Sequence, residues 1–126
     1  REEMSMWYRL NGVITVRNSE VTRKLIQQLA DKMGNGGCSV EWSDENVIVT
    51  FKYGDYRTWI SVQRIEHMLH ELGQHAYTPT RFETTYDDGS GHIWVGPSGL
   101  VATIGYSESR VDTRSDTLAL TIGFKG

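Results

Sequence analysis

The chain has 126 residues, a formal net charge of −3, and 38% hydrophobic against 23% charged side chains. That length supports one self-folding domain, and that balance excludes an intrinsically disordered chain. The acidic surplus excludes a long-range positive field, which disfavours nucleic acid as a partner, and no apolar run approaches the roughly twenty residues that span a bilayer.

Residues 1–6, REEMSM, precede the patterned part and are expected to be a disordered or non-native leader to an α+β core over 7–99. WYRLNGVITV alternates, with Tyr8, Leu10, Gly12, Ile14 and Val16 on one face, which predicts a first strand. NSEVTRKLIQQLADKMG opens on the cap candidates Asn18 and Ser19, repeats apolar residues at Val21, Leu25, Leu29 and Met33, and stops at Gly34, as an amphipathic helix does. CSVEW and VIVTFKY form a hairpin around SDEN, whose short polar side chains favour a turn. A second helix follows GDYR, capped at Thr58 or Ser61 and ended at Gly73, with Val62, Ile65, Leu69 and Leu72 as its buried stripe. TRFETTY and HIWV then flank the glycine-bearing hairpin loop DDGSG.

Gly96-Pro97-Ser98-Gly99 suits a type I turn into a C-terminal β-hairpin over 100–126. Its strands, LVATIGYS and LALTIGFK, share Thr-Ile-Gly-aromatic, and the polar loop 107–116 between them is expected to be mobile. The element order predicts a ferredoxin-like split βαββαβ antiparallel sheet, with two helices on one face and this hairpin added.

RIEHMLHELGQH, residues 64–75, concentrates three of the four histidines. A helical wheel sets Gln63, His67, His70 and Glu71 opposite the apolar stripe, facing water. His67, His70 and Glu71 are therefore rejected as a metal site, because neither an HExxH spacing nor a CxxC pair accompanies them. Other catalytic signatures fail as well. Gly96 to Leu100 has leucine where a GxSxG elbow needs glycine, and Gly34-Asn35-Gly36-Gly37 follows a helix and precedes a strand, the reverse of a phosphate-cradling loop. Cys38 alternates with Val40 and Trp42 on the apolar side of its strand, where a thiol packs rather than reacts. As the only cysteine it can form no internal disulfide, which suggests a reducing, cytoplasmic setting. Neither catalysis nor a cofactor is expected.

Trp7, Trp59, Trp94 and Tyr53 offer stacking surfaces, but VIVTFKY lacks the basic-glycine-aromatic run of an RNA-recognition strand. The face away from the helices is expected to carry Arg9, Glu41, Lys52, Arg81 and Glu83, a mixed-sign surface suited to a protein partner. The candidate partner-binding residues are Arg9, Lys52, Arg81 and Glu83, with Asp87 and Asp88 at the hairpin tip and Arg110 and Arg114 in the late loop. TLALTIGF, residues 117–124, holds neither charge nor proline, so as an edge strand it would support a homodimer.

The interior-glycine strand LNGVITV, the acidic-glycine hairpin before a tryptophan strand, DDGSGHIWV, and the glycine-led strand SGLVATIGY resemble small single-domain proteins of bacteria and their phages. The resemblance covers most of residues 7–106 and implies a ferredoxin-like core without assigned chemistry. In size and acidity the chain is also similar to phage-encoded inhibitors of bacterial defence of the anti-CRISPR type. The expected function is thus a non-enzymatic protein-binding module, an inhibitor or accessory protein acting on a larger bacterial protein. A small-ligand (nucleotide) binder with a pocket between the sheet and the extra hairpin is the alternative, and a nucleic-acid-associated protein comes third.

Overall fold

The computed structural model describes residues 5–34, 36–97 and 102–104. The chain runs β1 (Met6–Arg17), α1 (Glu20–Met33), β2 (Cys38–Trp42), β3 (Asn46–Arg57), α2 (Trp59–Gly73), β4 (Thr80–Tyr86), β5 (Gly89–Val95) and β6 (Ala102–Ile104). These strands form one antiparallel sheet in the order β2-β3-β1-β4-β5-β6. The fold is α+β. The sheet differs from a four-stranded sandwich, because β5 and β6 extend it beyond β4. β6 falls within the first strand expected of the C-terminal hairpin, while the loop 107–116 and the strand 117–124 lie outside the described residues.

Both helices pack on one face of the sheet. Tyr8, Leu10, Ile14 and Val16 of β1 and Val47, Val49, Phe51 and Tyr53 of β3 are buried against Ile26, Leu29 and Met33 of α1 and Val62, Ile65, Leu69 and Leu72 of α2. The α2 stripe is the one its periodicity predicts. In α1 Leu29 and Met33 are buried as expected, but in the first two turns the stripe shifts by one residue: Thr22 and Ile26 are buried, while Val21 is exposed and Leu25 half-buried. Thr22 tolerates that position because its hydroxyl donates to the Arg17 carbonyl at 2.6 Å, so no polar group is stranded. Ser19 caps the same helix by accepting from the Thr22 N–H at 3.2 Å, and Thr58 caps α2 by accepting from the Ser61 N–H at 3.2 Å.

Three boundaries depart from expectation. Gly54–Arg57 continues β3 instead of leading into α2, because Met6–Arg9 of β1 runs alongside and fills its ladder. Met6 accordingly belongs to β1 rather than to a leader. The β4–β5 connection is only Asp87–Asp88: Gly89, Ser90 and Gly91 are already paired, with Tyr86 opposite Gly89.

At the centre of the sheet, Gly12 faces the core among larger residues. The Phe82 ring occupies the space its side chain would take: a Cβ built on Gly12 would lie 2.4 Å from Phe82 Cδ2. Phe82 in turn meets Phe51 edge to face, with centroids 5.5 Å apart. Thus one ring joins β4 to both central strands. Replacing Gly12 with Ala is expected to cost about 1–3 kcal/mol through overpacking. In a Phe82→Leu background the same change should cost less, since the two sites share one space. Urea unfolding of the four proteins measures this, and additive losses would contradict the shared space.

Candidate functional site

The sheet face turned away from the helices is set by the β1/β3 register. Its rows are Trp7 with Tyr56, Arg9 with Gly54, Asn11 with Lys52, Val13 with Thr50, Thr15 with Ile48, and Arg17 with Asn46. Side chains alternate along a strand, so this set is the complement of the buried one. Glu83 lies beside Asn11 on β4, and Arg81 pairs with Trp94 across β4 and β5. Among the described residues, large apolar side chains stand exposed on this face: Tyr56 at 65%, Val13 at 52% and Ile48 at 37%.

The charge on this face opposes that of the chain. Within the six β1/β3 rows stand Arg9, Arg17 and Lys52 and no carboxylate, although the protein's net charge is −3. Arg17 lies over the Tyr77 ring, 5.0 Å from its centroid. Arg81 and Glu83 pair at 3.6 Å while both stay half-exposed or more, a contact that adds little energy. Arg9 and Lys52 form no ion pair among the described residues.

At one end of the face Trp7, Arg9, Asn11, Lys52, Tyr53 and Gly54 line a groove of about 510 Å³. The Trp7 ring lies over Gly54, where an added Cβ would sit 2.9 Å from the indole Cζ2. Tyr56 meets the same ring edge-on, with centroids 5.1 Å apart. The Trp7 N–H donates to Asp87 Oδ1 at 3.0 Å, which ties the start of β1 to the β4–β5 turn.

The expected partner-binding residues therefore divide. Arg9, Lys52, Arg81 and Glu83 share the open face, Asp87 anchors its edge, and Asp88 is exposed at the adjoining turn. Arg110 and Arg114 lie outside the described residues. The groove lies on β1 and β3; of the hairpin beside which a ligand pocket was expected, all but 102–104 lies outside the described residues. On the helical side, His67 and Glu71 are exposed and 3.3 Å apart, but His70 is half-buried rather than facing water. Burial, reinforced by the nearby His67, holds the His70 pKa below its ordinary value. No three metal-ligating side chains converge among the described residues. Burial likewise pushes the Cys38 thiol up, away from the reactive thiolate.

On the inner side of the sheet, Glu66 is a half-buried polar residue that periodicity does not reveal. It sits on α2 at the flank of the buried stripe, and its Oε2 accepts from the Tyr86 hydroxyl at 2.7 Å and the Tyr8 hydroxyl at 3.1 Å. Burial raises the Glu66 pKa, and the two hydrogen bonds only partly offset it. Tyr8 is raised well above its ordinary value by burial first and by the Glu66 charge second. The available signal was two core-facing tyrosines, whose buried hydroxyls require an acceptor.

No protein-family model, curated protein or solved structure matches the chain. Among the described residues, no helix is long and apolar enough to cross a membrane.

The Glu66 environment makes stability depend on pH. The folded state holds this proton more tightly than the unfolded chain, whose Glu pKa is about 4.3. The resulting contribution is complete below that value and is lost as pH rises through the raised folded value. Glu66→Gln keeps an acceptor oxygen for both tyrosines but cannot ionise. Urea unfolding across the range from about pH 4 to 8 should therefore show wild type losing stability relative to this variant. Parallel curves would contradict the assignment.

Proposed function

We propose that this chain is a non-enzymatic binding module whose working surface is the open face of its sheet. Its partner is a larger bacterial protein, which it engages as an inhibitor or accessory factor of phage or mobile-element origin. The carrying observation is that Val13, Ile48 and Tyr56 stand exposed among unpaired cations on the central strands of an acidic chain. Exposed apolar residues ringed by polar ones are the composition of an interaction patch. Unpaired cations favour a partner surface that offers carboxylates beside its own apolar groups.

We read the order β2-β3-β1-β4 as a ferredoxin-like core, with β5 and β6 as its extension. A cytoplasmic setting fits the lone cysteine, which has no second thiol to pair with. A homodimer through residues 117–124 belongs to the same reading and rests on their uncharged, proline-free sequence. Sedimentation of wild type against Thr121→Lys tests it, since a lysine on a pairing edge should dissociate the dimer.

The face itself is tested by capture from bacterial extract with three immobilised proteins. A specific partner retained by wild type should also be retained by Lys24→Glu on the exposed side of α1. It should be lost, by about tenfold or more, from Val13→Glu, as expected when a charge is buried in an interface centre. Equal retention by all three, or loss with Lys24→Glu alone, would contradict the assignment of this face.

A further inference from the structure

We propose that the groove over Gly54, walled by Trp7 and flanked by Arg9 and Lys52, is a binding site for a nucleoside monophosphate. The base lies against the Trp7 indole and the phosphate sits between the two cations. This inference concerns the Trp7 end of the face: it draws on the same two cations as the protein-binding reading, but nucleotide binding by the isolated chain is read out without any protein partner.

Three features carry it. The indole is packed before any ligand arrives, over Gly54 and against the Tyr56 ring, while the Asp87 carboxylate fixes the Trp7 backbone through its N–H. A ring packed in this way loses little freedom when a base stacks on it. Arg9 and Lys52 are diagonal neighbours across the β1/β3 pair, since Arg9 faces Gly54 and Asn11 faces Lys52. Diagonal positions lie about 7–8 Å apart, so two such long side chains converge on one anion. The Arg9 guanidinium offers a planar fork to two phosphate oxygens, and the Lys52 ammonium adds a point charge. Asn11, opposite Lys52 in the same groove, supplies an amide with both donors and an acceptor, the group needed to hold a base edge or a ribose hydroxyl. The volume of about 510 Å³ falls within the range of about 300–1,000 Å³ usual for small-molecule sites.

The surroundings limit the ligand to one phosphate. Past Asn11 and Lys52 the face continues as Val13, Thr15, Ile48 and Thr50, with nothing to track a second phosphate until Arg17, which already lies on Tyr77. Glu83, beside Asn11, repels an anion that extends toward β4. A polynucleotide would run on over that apolar stretch, whereas a mononucleotide held at Asn11 stops short of it.

The test is a titration of the full chain by proton–nitrogen NMR, following the four tryptophan indole resonances, with that of Trp7 assigned through Trp7→Phe. AMP and UMP should shift the Trp7 indole saturably, while Trp42 and Trp59, which lie outside the groove, stay in place. Arg9→Gln and Lys52→Gln, both on exposed side chains and checked for folding by circular dichroism, should each weaken binding about tenfold. Adenosine, lacking the phosphate, and pyrophosphate, lacking the base, should each bind at least about tenfold more weakly than AMP. Absence of any saturable Trp7 shift, or nucleotide affinity unchanged in both variants, would overturn the proposal. Pyrophosphate binding as tightly as AMP would reduce the site to an anion patch and overturn it too. An oligonucleotide that binds far more tightly than AMP and shifts residues 13–17 and 46–50 would replace it with a strand-binding surface.

Discussion

The seating of the Phe82 ring in the space left by Gly12 is the contact on which the rest of the molecule depends. It lets β4 lie against β1 without a gap, and the same ring reaches Phe51 on β3. With three strands locked through one side chain, the helices have a continuous apolar floor to cover. Arg57 completes the enclosure at one end: its guanidinium donates to the Tyr53 hydroxyl, to Ser61 Oγ on α2 at 2.6 Å and to the Lys32 carbonyl near the end of α1. That carbonyl belongs to the last turn of a helix, where backbone acceptors lack intrahelical partners. One side chain thereby fastens β3 to both helices.

The open face inherits its geometry from these buried contacts. A strand held rigidly on its inner side presents its outer side chains at fixed spacing, which makes the β1/β3 rows a defined surface rather than a collection of exposed groups. Trp7 shows the connection most directly. Its ring rests on Gly54 because β1 and β3 pair over their full lengths, and the pairing persists to Met6 and Arg57. On the inner side, near the same end, Tyr8, Tyr86 and Glu66 form a buried polar cluster that joins β1, β4 and α2. The two sides of β1 thus serve different ends: odd-numbered residues from Trp7 to Arg17 offer chemistry to the outside, and Tyr8, Leu10, Ile14 and Val16 hold the fold.

Much of this was legible in the sequence because strict periodicity carries it. The alternation in WYRLNGVITV assigned each β1 residue to its face, and the α2 stripe of Val62, Ile65, Leu69 and Leu72 came directly from helical spacing. The open-face set Arg9, Lys52, Arg81 and Glu83 followed from the same alternation. Where the sequence misled, a non-local partner decided. Gly54 and Asp55 look like strand breakers, yet β1 supplies the ladder that keeps them extended. Val21 is the more apolar choice for the α1 stripe, but Thr22 is buried because Arg17, outside the helix, accepts its hydroxyl. Glu66 reads as one more charge on α2 until two strands bring tyrosines to it. The Trp7 groove was illegible for a similar reason, since its floor is a glycine on another strand.

In the function we propose, the open face, not the helical one, meets the partner. Methyl cross-saturation in the complex tests it without any substitution, because irradiating the partner's protons attenuates only those methyls that touch it. Val13 and Ile48 are exposed on the sheet face, while Val21 and Ile60 are exposed on the helical side. The expected result is strong attenuation at Val13 and Ile48 with Val21 and Ile60 unaffected. Attenuation at Val21 and Ile60, with Val13 and Ile48 unchanged, would contradict the account.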